Sequence, residues 1–222
     1  MGMNDMIPKK YMVDFFKMLE SEKIRYLLIS NIVGGLPDKF QSCKPIDIIV
    51  NLEDRDRFSV CMRKHGFLFR LPAEGRNAGW RFAYQLPEYQ SWQSGGVRHV
   101  FWINACFKLM CKSLSPKFWI PLDDSIQQCA WSEKEWNEDI GCWQLGERTL
   151  FVYVITHCVF DERFFHASDI AEIEKRKHLF GDMKVRVLLQ TVFFRFADTL
   201  VQLLRDEAYE SIIQRYLTFT DY

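Results

Sequence analysis

An excess of positive charge is the first thing this sequence lacks: Lys+Arg and Asp+Glu each number 29 in 222 residues, so the net charge is zero with neutral histidine. A balanced chain carries no field of the kind that draws a phosphate backbone, and nucleic acid is not the expected partner. Cysteine motifs are missing too. The seven cysteines, Cys43, Cys61, Cys106, Cys111, Cys129, Cys142 and Cys158, are odd in number, and no two form a C-x-x-C pair. That usage points to a reducing cytoplasm, with most of the thiols acting as small buried apolar groups. No apolar run approaches the length of a membrane span, and MGMNDMIPKK at the start holds no signal-type apolar region, so the expectation is a cytoplasmic protein without a membrane span. A P-loop, a G-x-G-x-x-G turn, a zinc spacing and a G-x-S-x-G elbow are all absent, as are internal repeats and low-complexity segments.

What is present is apolar: 48% hydrophobic and 15% aromatic residues are enough for one large domain or two small ones. Met12, Phe15, Phe16 and Leu19 recur at helical spacing and predict a helix over 8–22 that feeds a strand from Arg25 to Ile29. Ser30-Asn31 is an N-cap-like pair, broken off by Gly34-Gly35-Leu36-Pro37. A second strand, Ile46 to Val50, precedes a helix from Leu52 to His65 stopped by Gly66. Strand-like pieces follow at Phe67–Leu71, Trp80–Gln85 and Val97–Ile103. Beyond about residue 105 the apolar spacing becomes helical, as in Val185, Leu188, Leu189, Val192 and Phe196. The expected organisation is an αβ domain over 1–110 and a helical domain over 111–222, an α+β chain.

One residue stands out against this pattern. Asp47 places a carboxylate inside the apolar run Pro45-Ile46-Asp47-Ile48-Ile49-Val50, where a charge is costly unless it is paired or reaches an open site. It is either a ligand or substrate-contacting acid, or a structural acid bonded to nearby N–H groups or to Lys44. His99 is either a partner of Asp47 in a cleft or a packed strand histidine. Lys39 and Lys44 are either phosphate contacts or solvated loop lysines. In the helical half, His157 and Asp169 read as a buried structural pair, the KRKH run at 175–178 as a solvated helix end, and Asp123-Asp124 as the first turn of a helix. The rings of Trp92, Phe101, Trp102, Phe118, Trp119, Trp131, Trp136 and Trp143 either stack a base or sugar or fill the core.

The order helix, strand, small polar pair, loop, Pro45-Ile46-Asp47-Ile48-Ile49-Val50, helix, then His65-Gly66-Phe67, resembles the polymerase-β-type nucleotidyltransferases. It is most similar to an uncharacterised bacterial group associated with surface-polysaccharide biosynthesis. LGERTLFVYVITHCVFDERFFHASDIAEI at 145–173 resembles the helical half of the same group. The resemblance implies a mixed sheet with flanking helices followed by a C-terminal helical bundle, and a nucleotide or sugar-phosphate substrate. It also implies Mg²⁺ or Mn²⁺ held by Asp47, with Asp47 and His99 at the catalytic position and Ser30, Asn31, Lys39 and Lys44 on the substrate. The chain departs from the family pattern at each of these points. Ser30-Asn31 replaces a glycine-led pair, Pro45 stands where the first acid belongs, and the strand at 97–103, expected to carry the third acid, has none. Imidazole at His99 does not suit Mg²⁺. Two functions follow from the resemblance: a nucleotidyltransferase or phosphotransferase of surface-glycan assembly, or a catalytically inactive module that binds a partner protein or a glycan intermediate.

Overall fold

The computed structural model describes residues 6–29, 39–41, 45–70, 79–86, 100–113 and 118–218. The chain divides into two compact units, 1–109 with 135–144, and 110–134 with 145–222.

The first unit is built on a seven-stranded mixed sheet. Strand β1 (Met6–Pro8) pairs antiparallel with β3 (Lys39–Gln41) as a separate ribbon. The main sheet uses β2 (Tyr26–Leu28), β4 (Ile46–Val50), β5 (Leu68–Arg70), β6 (Gly79–Gln85), β7 (Val100–Cys106), β10 (Glu135–Asn137) and β11 (Cys142–Gln144). Their spatial order is β10-β11-β2-β4-β7-β6-β5. The β11–β2 and β4–β7 pairs are parallel and the others antiparallel. Helix α1 (Lys10–Ser21) turns Met12, Phe15, Phe16 and Leu19 inward, as their spacing requires. Helix α2 (Arg55–Lys64), entered through a 3-10 turn at Leu52–Asp54, buries Phe58, Cys61 and Met62. These side chains and Ile46, Ile48, Val50, Phe82, Phe101, Ile103 and Ala105 form one core. Its rings interlock: Phe16 stacks on Tyr26 at 5.2 Å and Phe58 meets Phe82 edge-on at 5.4 Å.

Two glycines set close geometry. Gly66 takes φ +81°, a left-handed conformation, and ends α2 with the Phe67 N–H donating to the Met62 carbonyl. A Cβ on Gly79 would lie 2.4 Å from the Ala105 carbonyl oxygen, so only glycine lets β6 approach β7 this closely.

The second unit contains a hairpin, β8 (Met110–Lys112) with β9 (Trp119–Pro121), and helix α3 (Asp124–Ser132). Asp123 caps α3 through Ser125 N–H at 2.8 Å, as expected for the first turn of a helix. Helix α4 (Glu147–Thr156) runs into a π-helical turn at His157–Glu162, closed by Arg163 at φ 54°. Helices α5 (Ala167–Lys175), α6 (Met183–Phe193), α7 (Ala197–Arg205) and α8 (Tyr209–Thr218) complete the unit. Phe160, Phe193 and Phe196 converge on Tyr216 at 5.2–5.4 Å. Asp182 caps α6 and also accepts from Arg148 Nε at 2.7 Å.

Several expectations need correction. A single cut at 110/111 misassigns the β10–β11 hairpin: β11 pairs with β2 through Gln144 and Leu28, and Ile140 and Cys142 join the sheet's core. The strand expected at 97–103 is described from Val100 to Cys106, three residues later at its end. The close partner of His157 is Asp161, at 2.8 Å, whereas Asp169 accepts from the His166 N–H and caps α5. The KRKH run is only partly solvated: Arg176 is mostly buried in a pair with Glu172, and His178 reaches Glu147 at 3.2 Å. Met183–Arg205 is long and apolar enough to cross a membrane by length and composition alone, a test that the buried core helix of a soluble protein also passes. Phe194, at φ 49°, interrupts it between α6 and α7, and half of its most apolar stretch is buried.

Candidate functional site

In β4 the alternation of side chains sends Ile46, Ile48 and Val50 into the core and leaves Asp47 on the opposite face of the sheet. Asp47 is half-buried, and its Oδ1 accepts from Asn104 Nδ2 at 2.7 Å. The parallel β4–β7 register sets these two residues directly opposite, and the antiparallel β6–β7 register sets Arg81 opposite Asn104. Asp47, Asn104 and Arg81 therefore form one row across three strands, all on one face. Trp102 lies two residues from Asn104 on that face, with the Arg81 guanidinium 4.3 Å from its ring centre. The Asp47 carbonyl accepts from Ile29 N–H at 3.0 Å, so the end of β2 lies beside Asp47.

Of the residues expected from sequence at the site, Asp47 is thus placed on a half-buried sheet face with an amide donor beside it. Ser30, Asn31, Lys44 and His99 lie outside the described residues, and Lys39 is described only as backbone in β3. Asn104 and Arg81 were not selected. Asn104 lies one residue beyond the segment 97–103 expected to carry an acid, and only the strand register shows that it, and no residue of 100–103, faces Asp47. Arg81 lies in an ordinary half-buried strand, and nothing in its local sequence marks it.

Other charged groups near the sheet are structural. Asp54 is buried and accepts from Arg25 N–H at 3.0 Å, Arg25 Nε at 2.8 Å and Arg57 Nη1 at 3.1 Å, tying the start of β2 to the start of α2. Burial works to raise the Asp54 carboxyl pKa, and the bonds and charge of Arg25, with the charge of Arg57, more than offset it, leaving it below the ordinary carboxylate value. In the second unit, Asp161 accepts from Lys112 N–H at 2.7 Å and from His157 Nδ1 at 2.8 Å. Burial opposes the imidazolium there, but the bond and charge of Asp161, with Glu162 and Asp169, raise the His157 pKa above its ordinary value. The described cysteines are free, and burial pushes Cys61 up to about 11 and Cys111 and Cys142 up to about 12. None of these is an activated thiol.

The row on the sheet does not fit a two-ion centre. Mg²⁺ demands oxygen ligands in near-octahedral geometry, and a pair of ions needs several carboxylates. Among the described residues the row brings one carboxylate, with an amide N–H already directed at it. No group of three or more His, Cys, Asp or Glu among the described residues is arranged to hold a metal ion.

These elements make an α+β protein with a mixed sheet, flanking helices and a C-terminal helical region. Among solved structures the chain is similar to an antigenic nucleotidyltransferase-like protein from Paracoccidioides brasiliensis. The identity is 14% and the TM-score 0.48, over 93% of this chain and 91% of that one. It is also similar to the antibiotic-resistance factor ANT(2'')-Ia, with 8% identity and a TM-score of 0.46, over 90% of this chain and 96% of that one. No family model and no curated protein matches it.

Proposed function

We propose that this protein binds a nucleotide or sugar phosphate on the sheet face that carries Asp47. The observation that carries this reading is the row Asp47–Asn104, set by the β4–β7 register beside the end of β2. A carboxylate on a half-buried face, with an amide donating to it, accepts hydrogen bonds from ligand hydroxyl or amino groups. Ser30 and Asn31 come shortly after β2 in the chain and belong to the same proposal as substrate contacts, with Lys39, Lys44 and His99 as further contacts. The sequence resemblance supports, as part of this proposal, a nucleotidyltransferase or phosphotransferase activity in bacterial surface-glycan assembly, in the cytoplasm. A divalent ion, Mg²⁺ or Mn²⁺, at Asp47 would need the ligand's phosphates as co-ligands, because the described residues supply no cage for it alone.

Isothermal calorimetry with nucleoside triphosphates, sugar phosphates and nucleotide sugars, each with and without Mg²⁺ or Mn²⁺, tests the reading. Saturable heats with at least one class are expected; silence across the panel refutes it. A second reading is favoured by one observation, the amide of Asn104 in the position facing Asp47: a catalytically inactive module that binds a partner protein or glycan intermediate. Ligand binding without any turnover of the bound nucleotide would select it.

A further inference from the structure

We infer that the sheet face holds its ligand's phosphate through Arg81 rather than through a divalent ion, an assignment that rests on the function proposed above and names how that site recognises its ligand. Arg81 is half-buried on β6, and its Nε is fully enclosed with no hydrogen-bond partner. No acceptor for its N–H groups is present among the described residues. The enclosed Nε is beyond a ligand's reach, and the groups of this half-buried side chain left open to one are the terminal Nη N–H groups. The guanidinium is not loose: it lies 4.3 Å from the Trp102 ring centre, and stacking orients its planar edge. Such an edge matches two oxygens of a phosphate.

Geometry supplies the rest. Arg81 and Asp47 are separated by two strand spacings, about 9.5 Å, with the neutral Asn104 between them in register with both. That separation keeps the two charges from neutralising each other and gives the row a cationic end and an anionic end. A phosphorylated sugar or a nucleotide sugar laid across the strands meets both ends: its phosphate faces Arg81 and its hydroxyls donate to Asp47. Asn104, donating to Asp47, holds the carboxylate in place. A ligand bound in this way needs no ion to screen its phosphate from the carboxylate of Asp47.

Calorimetry in EDTA with pyrophosphate, glucose 1-phosphate and UDP-glucose tests the inference on the full chain. Binding of at least one probe is expected to survive EDTA. Arg81→Gln should weaken it by about tenfold or more, and Arg81→Lys, which keeps charge and packing but loses the planar fork, by less. Asp47→Asn should weaken glucose 1-phosphate and UDP-glucose while leaving pyrophosphate unchanged. Melting temperatures of the variants verify folding, and Arg81→Lys serves if Arg81→Gln does not fold. Binding that appears only with Mg²⁺ and is indifferent to both Arg81 substitutions overturns this inference and leaves the proposed function standing. Absence of binding under every condition overturns both.

Discussion

Asp47 is the residue whose chemistry separates the readings of this protein. Replacing it by Asn removes the charge but keeps an amide oxygen that can turn toward Asn104 Nδ2, so the bond at 2.7 Å is retained in kind. The expected cost in stability is below about 1 kcal/mol, whereas binding of hydroxyl-bearing ligands falls. A melting temperature and a calorimetric titration on the same preparation check both halves. A large loss of stability would show that Asp47 serves the fold. Asp54 is the contrast within the same unit: it is enclosed by Arg25 and Arg57, and its charge holds two elements together. Asp47 lies inside an apolar run and Asp54 in a charged stretch seven residues later, and neither setting tells its role. The partners do: the amide of Asn104 donates to Asp47, and two guanidinium groups hold Asp54.

At the scale of elements, the π-helical turn after α4 is where electrostatics bears on stability. His157 has a folded-state pKa above its unfolded value, so its contribution is fully present below the unfolded value, near ~6.5, and is lost as pH rises through the raised folded value. Thermal melts of wild type and His157→Gln across that window should show a pH-dependent loss in wild type that the variant lacks. Parallel profiles would show that Asp161 is held by Lys112 alone. The helix–strand alternation of the first unit was legible because one-sided burial imprints its period on the sequence: Ile46 to Val50 is the strand expected, and α1 falls within the predicted 8–22. The short pairs β8–β9 and β10–β11 were missed. Strands of three residues are too short to leave a period to read.

The whole molecule is not two consecutive pieces, because the hairpin at 135–144 returns from within the second half to extend the sheet of the first. A fragment ending at residue 109 therefore loses Ile140 and Cys142 from its core and exposes the edge of β2. Circular dichroism and size-exclusion chromatography of that fragment should show an unfolded or aggregating chain. A cooperative melt comparable to the full chain would show that the hairpin is dispensable.

What the sequence determined by itself is the class of the fold and the position of its one conspicuous acid, since both are written in local periodicity and in a charge that breaks it. Only the tertiary structure decided what faces that acid. Asn104 is 57 residues from Asp47 and Arg81 a further strand away, and they meet through the registers of β4, β7 and β6. Register is set by the packing of whole strands on a shared core, and a shift of one residue would turn each of these side chains to the other face.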